Sequence, residues 1–216
     1  VDIDNLSLRS NNIKIENAQP MSLELREGRI EPRNLYLEGM DNYIRVKKSD
    51  ARTPVALVAE GRLEMSLLSL LTPFFDDLKG LMNFSTDLRG SISQLKFSGN
   101  TYIQNGFVKL KDFPHPIEQY SADILFDNNK IVINSAKGKL AGGSVSGNGQ
   151  ISFIGYKNIP LDIRGSFVDS SFEVPAGFYT RGSGDFSVTG NWLPYTLGVS
   201  YNVAEGRVNR EISNES

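Results

Sequence analysis

Apolar and polar residues alternate with a period of two over most of the chain, the pattern of strands that turn one face to a core and the other to water. Leu6 and Leu8, Ile13 and Ile15, Met21 with Leu23 and Leu25, Leu35 and Leu37, and Ile44 and Val46 carry it through the N-terminal part. It resumes at Leu95 and Phe97. From there it runs through Tyr120, Ala122, Ile124 and Phe126, then Ile131 and Ile133, Ile151 and Phe153, Leu161 and Ile163, Phe186 and Val188, and Leu197 to Val203. Between these runs lie the turn formers Asp127-Asn128-Asn129, Gly142-Gly143 and Gly147-Asn148-Gly149. Connections this short join antiparallel neighbours, because a parallel crossover takes about a dozen residues or more. The expectation is an all-β chain, mostly an antiparallel meander.

One segment breaks the pattern. Over 66–79 the apolar positions Leu67, Leu70, Leu71, Phe74, Phe75 and Leu78 recur at three and four, Ser66 can cap the start and Gly80 can end it. This predicts a helix that Pro73 kinks or splits in two, plugging an end or edge of the sheet. The chain then divides into a partial β module over 1–64, the helical segment over 65–80, β modules continuing the same sheet over 81–208, and a polar tail over 209–216. The modules repeat. Shifted by 100 positions, Leu88, Gly90, Leu95, Phe97, Ile103, Gly106 and Val108 fall on Val188, Gly190, Tyr195, Leu197, Val203, Gly206 and Val208. Separately, Val58-Ala59-Glu60-Gly61-Arg62-Leu63 recurs as Val203-Ala204-Glu205-Gly206-Arg207-Val208.

Composition narrows the chemistry. The 216 residues, 39% hydrophobic and 22% charged, suffice for a sizeable core. With 23 Lys and Arg against 25 Asp and Glu, scattered without blocks, there is no basic stripe for nucleic acid or an anionic membrane. Zero cysteines remove disulfides, thiolate metal sites and cysteine nucleophiles. No run approaches the roughly 20 apolar residues of a membrane span. The chain begins at Val1 already in strand pattern, as a piece of a longer protein would.

The remaining candidate residues read as structure. His115, the only histidine, lies in Phe113-Pro114-His115-Pro116, where the prolines hold an extended loop and no catalytic or metal-binding partners stand at a matching spacing. Asp76 and Asp77 are neighbours that point about 100° apart on a helix, hence solvated helix-end charges. The glycines of 138–149 lack the Gly-Lys-Ser/Thr ending of a phosphate loop and suit a hairpin turn. Gly143-Ser144-Val145-Ser146-Gly147 lies in strand pattern, not in a nucleophile elbow. Neither an enzyme, a metal site nor a cofactor is expected.

What is distinctive is the apolar face. Roughly 14 to 16 strands at about 4.8 Å spacing would make a sheet on the order of 70 Å wide, which must curl or split. Alternation is compatible with a closed β-sandwich and with an open trough. In either, Leu95, Phe97, Ile103, Val108, Ile124, Phe126, Ile131, Ile133, Ile151, Phe153, Leu161, Ile163, Phe186, Val188, Leu197, Val199 and Tyr201 are expected on one face.

The order of these features resembles the TamB family, the translocation and assembly module of Gram-negative envelopes, within the AsmA-like group. The resemblance is carried by Leu67-Leu68-Ser69-Leu70-Leu71-Thr72-Pro73, Gly80-Leu81-Met82-Asn83-Phe84, Leu88-Arg89-Gly90-Ser91-Ile92, Leu95-Lys96-Phe97-Ser98-Gly99 and Asn105-Gly106-Phe107-Val108. The block from Ile124 through Ile133 to Gly149 is similar to the family's glycine-punctuated β repeat. The resemblance implies an elongated, curled β-taco trough with an apolar concave face, in a periplasmic protein anchored in the inner membrane by a segment outside this chain. It implies phospholipid acyl chains lying along the seventeen residues above, and an outer-membrane barrel of the TamA type as partner. The alternative function is a chaperone or scaffold that assists outer-membrane protein insertion by binding a strand at the sheet edge.

Overall fold

The computed structural model describes residues 1–10, 12–50, 52–71, 75–91, 94–111, 113–154, 158–173, 177–191 and 194–208. The N-terminal part holds short strands: β1 (Asp2–Ile3), β2 (Ser7–Ser10), β3 (Ile13–Glu16), β4 (Met21–Arg26), β5 (Arg29–Arg33), β6 (Tyr36–Gly39), β7 (Asn42–Lys48) and β8 (Val55–Glu64). A 3₁₀ segment, Met65–Leu71, follows. The strands then lengthen: β9 (Phe75–Ser91), β10 (Gln94–Leu110), β11 (Ile117–Asn128), β12 (Lys130–Leu140), β13 (Gly143–Ser152), β14 (Leu161–Glu173), β15 (Phe178–Gly190) and β16 (Thr196–Val208).

Thirteen strands form one sheet in the order β16 to β6, then β3 and β2, while β1, β4 and β5 form a small sheet of their own. From β6 onward every strand pairs with its sequence neighbour, an antiparallel meander as the short connections require. The large sheet does not close, since β2 and β16 are its two edges. The closed alternative is therefore not formed.

Register partners in an antiparallel pair share a face. Gly61, Phe84, Thr101, Ile124, Ile133, Gly149, Ile163, Val188 and Leu197 are successive partners across nine strands and mark the inner face. The sheet curls toward it. Phe97 on β10 and Phe153 just past β13 are three strand spacings apart, about 14 Å in a flat sheet, yet their ring centroids lie 6.1 Å apart. Three buried clusters line this face, around Ile15, Met21, Leu37 and Leu63, around Leu78, Ile103 and Ala122, and around Leu140, Val145 and Phe167. The 3₁₀ segment joins the first two, Leu67 packing in one and Met65 in the other.

Two local expectations are corrected. The helix over 66–79 is replaced by the 3₁₀ segment ending at Leu71 and by β9, which already contains Phe75, Leu78 and Gly80. A proline removes an N–H donor and disfavours helical geometry in the residue before it, so an apolar period of three and four cannot carry a helix through position 73. Residues 72–74 themselves lie outside the described residues. The 65–80 unit is thus no separate helical element. The second correction concerns the glycines of 138–149: the turn is confined to Ala141 and Gly142, whereas Gly138 is in β12 and Gly147 and Gly149 are in β13. They serve close strand approach, a Cβ on Gly149 falling 2.4 Å from the Asp162 carbonyl oxygen.

Candidate functional site

Following the register strand by strand, the paired inner-face positions of β8 to β16 carry no Asp, Glu, Lys or Arg among the described residues; Asp76 sits in a register irregularity at the start of β9, at the covered end. Aliphatic and aromatic side chains, glycines and a few neutral polar groups such as Thr86, Thr101 and Thr180 make it up. The charges are on the outer face, many of them paired. Glu60 takes Lys47 at 3.0 Å and Arg45 at 3.5 Å, Asp77 takes Lys79 at 2.7 Å, and Asp162 takes Arg164 at 3.1 Å. The hydrogen bond from Lys47 and its charge, aided by Arg45, hold the Glu60 carboxyl below its ordinary range. Period-two alternation thus separates apolar from ionic chemistry across the thickness of one sheet.

The inner face is open at the end where the β9–β10 and β11–β12 hairpins turn. There Thr86, Leu88, Phe97, Phe126, Ile131 and Phe153 line a concavity of about 350 Å³. Phe97 meets Phe126 edge-on at 5.9 Å and Phe153 at 6.1 Å. Such edge-to-face contacts favour a defined arrangement of the three rings. Phe153 remains 40% exposed and Leu95, farther along the same face, 43%.

The opposite end is covered. Met65 packs over Leu78, Ile103 and Ala122, and the Tyr120 hydroxyl donates to Met65 Sδ at 2.9 Å. Burial here, with the Glu64 carboxylate adding to it, pushes the Tyr120 phenol well above its ordinary range. Beside it the 113–116 loop leans onto the face. His115 stacks edge-on against Phe172 at 5.4 Å and Phe113 at 6.2 Å, while Lys109 Nζ donates to the carbonyls of Phe113 and Pro114. Phe172 continues to Phe167 and Tyr201 at 5.5 Å each.

All seventeen residues singled out by alternation fall on the inner face by register or by continuation of their strand. They are not one site. Phe97, Phe126, Ile131 and Phe153 meet in the open concavity, and Ile151 is the register partner of Ile131. Ile124 and Ile133 are partners toward the covered end. Leu161, Ile163, Phe186, Val188, Leu197 and Val199 extend the floor toward β16. Ile103, at 6% exposure, and Val108 are packed beneath the 3₁₀ segment, and Tyr201 belongs to the aromatic cluster at the covered end.

Alternation did not single out Thr86 and Leu88 as lining, although Leu88 marks the internal repeat. It also missed Phe167 and Phe172, which are five apart and should face opposite ways. Asp169, at φ +58° in a β-bulge, inserts one residue between them and restores a common face.

Asp76 and Asp77 lie on β9, not at a helix end. Among the described residues there is no group of three or more His, Cys, Asp or Glu side chains suited to a metal, and no helix is long and apolar enough to cross a membrane. Comparison with protein-family models, curated proteins and solved structures finds no match.

Proposed function

We propose that this chain is a segment of a TamB-like periplasmic protein whose inner β face carries phospholipid acyl chains between the inner and outer membranes, in a parent that partners an outer-membrane barrel. The observation that carries the reading is the uncharged inner face across nine successive strands, open at its hairpin end. An acyl chain gains about 0.8 kcal/mol per methylene removed from water, so it favours an apolar floor without breaks. A charge on that floor either keeps the chain wet or is itself buried at a cost of several kcal/mol. The concavity between Phe97, Phe126 and Phe153 serves as an entry to that floor, because its lining is apolar and open to water and lipid.

Organic extraction of the purified protein followed by mass spectrometry tests the reading, with co-purified phospholipid as the expected result. Phe153→Arg and Ile133→Asp should abolish lipid loading, and transfer in the parent protein, with circular dichroism and melting showing the variants folded. Asn134→Asp and Gln150→Lys, exposed substitutions outside that floor, should load normally. Ser152, also on the outer face, is a poor control because it is only 8% exposed. Folded Phe153→Arg protein with normal lipid content would overturn the conduit at this position.

A further inference from the structure

The 3₁₀ segment Met65–Leu71 occupies the inner face with apolar side chains of its own. Its seven residues carry no charge. They lie against β9 on one side and β2 on the other, strands that stand five spacings apart in the order of the sheet. Leu67 fills the space between, in one cluster with Ile15 of β3, Leu37 of β6 and Leu63 of β8. Met65 covers Leu78, Ile103 and Ala122 on β9, β10 and β11. The segment therefore lies across the trough at the point where the floor of β8 to β16 meets the N-terminal strands.

Polar contacts hold it weakly. A 3₁₀ run beyond three or four residues is uncommon, because its hydrogen bonds are poorly aligned. The Ser66 hydroxyl is 3% exposed and has no hydrogen-bond partner among the described residues, which leaves its desolvation uncompensated. The side-chain tie to β11 is the bond from the Tyr120 hydroxyl to Met65 Sδ at 2.9 Å, and a thioether sulfur is a weak acceptor. Ser69 bonds inside the segment, its hydroxyl donating to the Ser66 carbonyl at 2.6 Å. What keeps the segment in place is chiefly the apolar floor it keeps dry. An acyl chain on that floor would keep it equally dry, and the two cannot occupy it together.

We propose that the 3₁₀ segment is a displaceable plug, and that the floor beneath Met65 and Leu67 is a second acyl-chain site, cleared only by the chain that enters it. The inference rests on the conduit reading and adds a control to it. Without lipid the plug stands between the floor and the N-terminal strands. An acyl chain binds only the state in which the plug has left, and so shifts the protein toward that state.

Hydrogen–deuterium exchange of the lipid-stripped full chain, with and without laurate, is the first test. Laurate should speed exchange over 65–69 by about ten-fold or more while β8 and β9 keep their protection. Because the chain has no cysteine, Leu67→Cys reports the same event through its reaction with a water-soluble thiol reagent. Leu140→Cys, buried in the third cluster, should stay unreactive. Tyr120→Phe should lower the laurate concentration that half-exposes the segment by about two- to ten-fold, and Ser66→Ala should raise it by about five-fold. Bound laurate, measured by extraction and mass spectrometry, with 65–69 still protected would overturn the plug and leave the conduit standing. Equal acceleration at Leu140→Cys, or midpoints that neither variant moves, would also overturn the plug. Absence of bound laurate would overturn the conduit and the plug with it.

Discussion

At the scale of single residues, the sheet depends on glycines as much as on apolar side chains. Gly61 and Gly165 lie where a Cβ would meet both a ring and a backbone carbonyl. At Gly61 these are Phe84 Cε1 at 2.5 Å and the Tyr43 oxygen at 2.6 Å; at Gly165, Phe186 Cζ at 2.4 Å and the Ser146 oxygen at 2.3 Å. The ring can move but the carbonyl belongs to the ladder, so alanine at either site overpacks it. Gly61→Ala and Gly165→Ala should each cost about 1–3 kcal/mol and lower the melting temperature by several degrees. Gly206→Ala, with nothing within 4 Å, should leave melting unchanged or raise it slightly by restricting the unfolded chain. Equal effects at the three positions would refute this account of the roofed glycines.

Among the elements, the 3₁₀ segment Met65–Leu71 decides which part of the inner face is closed. Its lock on β11 is Tyr120, whose phenol is held above its usual value near 10 by burial and by Glu64. An acid whose pKa is raised by folding adds stability that is intact below the unfolded value. That stability is lost as pH climbs toward the folded value, because only the unfolded phenol then releases its proton. Between about pH 9 and 11, the wild type should therefore lose more thermal stability than Tyr120→Phe. Parallel alkaline limbs for the two proteins would show that Tyr120 is not held protonated.

The elements also show where the sequence could be read and where it could not. Within an uninterrupted strand, parity settles which way a side chain faces, and so it groups Leu95, Phe97 and Ile103; Val108, at the opposite parity on the same strand, shares their face only because the bulge at Asn105 intervenes. Parity fails at a bulge, since one extra residue such as Asn105, Gln119 or Asp169, all at positive φ, reverses it without an obvious mark in composition. That is why Phe172 was not grouped with Phe167. Glycine was ambiguous in another way: Gly142 makes a turn, whereas Gly147 and Gly149 let two strands come close, and residue type alone does not distinguish these uses. The concavity was legible in its phenylalanines but not in its extent, because Thr86 is polar by type and lines it only through its place in the register.

The whole molecule is a row, not a ball. Each long strand packs mainly against its neighbours in sequence, and the three buried clusters are strung along the inner face. Such an arrangement loses the all-or-none character of a compact domain. In hydrogen exchange, β16, which has one partner and an exposed inner row, should open first, while β8 to β10 beneath the 3₁₀ segment should open last. A single opening rate shared by β16 and β8 would contradict this.

Because the strand order follows the sequence, the two edges of the sheet are also near the two ends of the described chain. Tension applied between those ends acts along the direction in which the strands are stacked, not along the strands themselves. It therefore opens one ladder at a time from an edge, as a zipper opens, instead of shearing many hydrogen bonds together. A strand of the length of β16, thirteen residues, gives about 45 Å of extended chain when it peels away. Held between two anchors that drift apart, the protein would lengthen strand by strand at modest force and leave the rest of its floor in place.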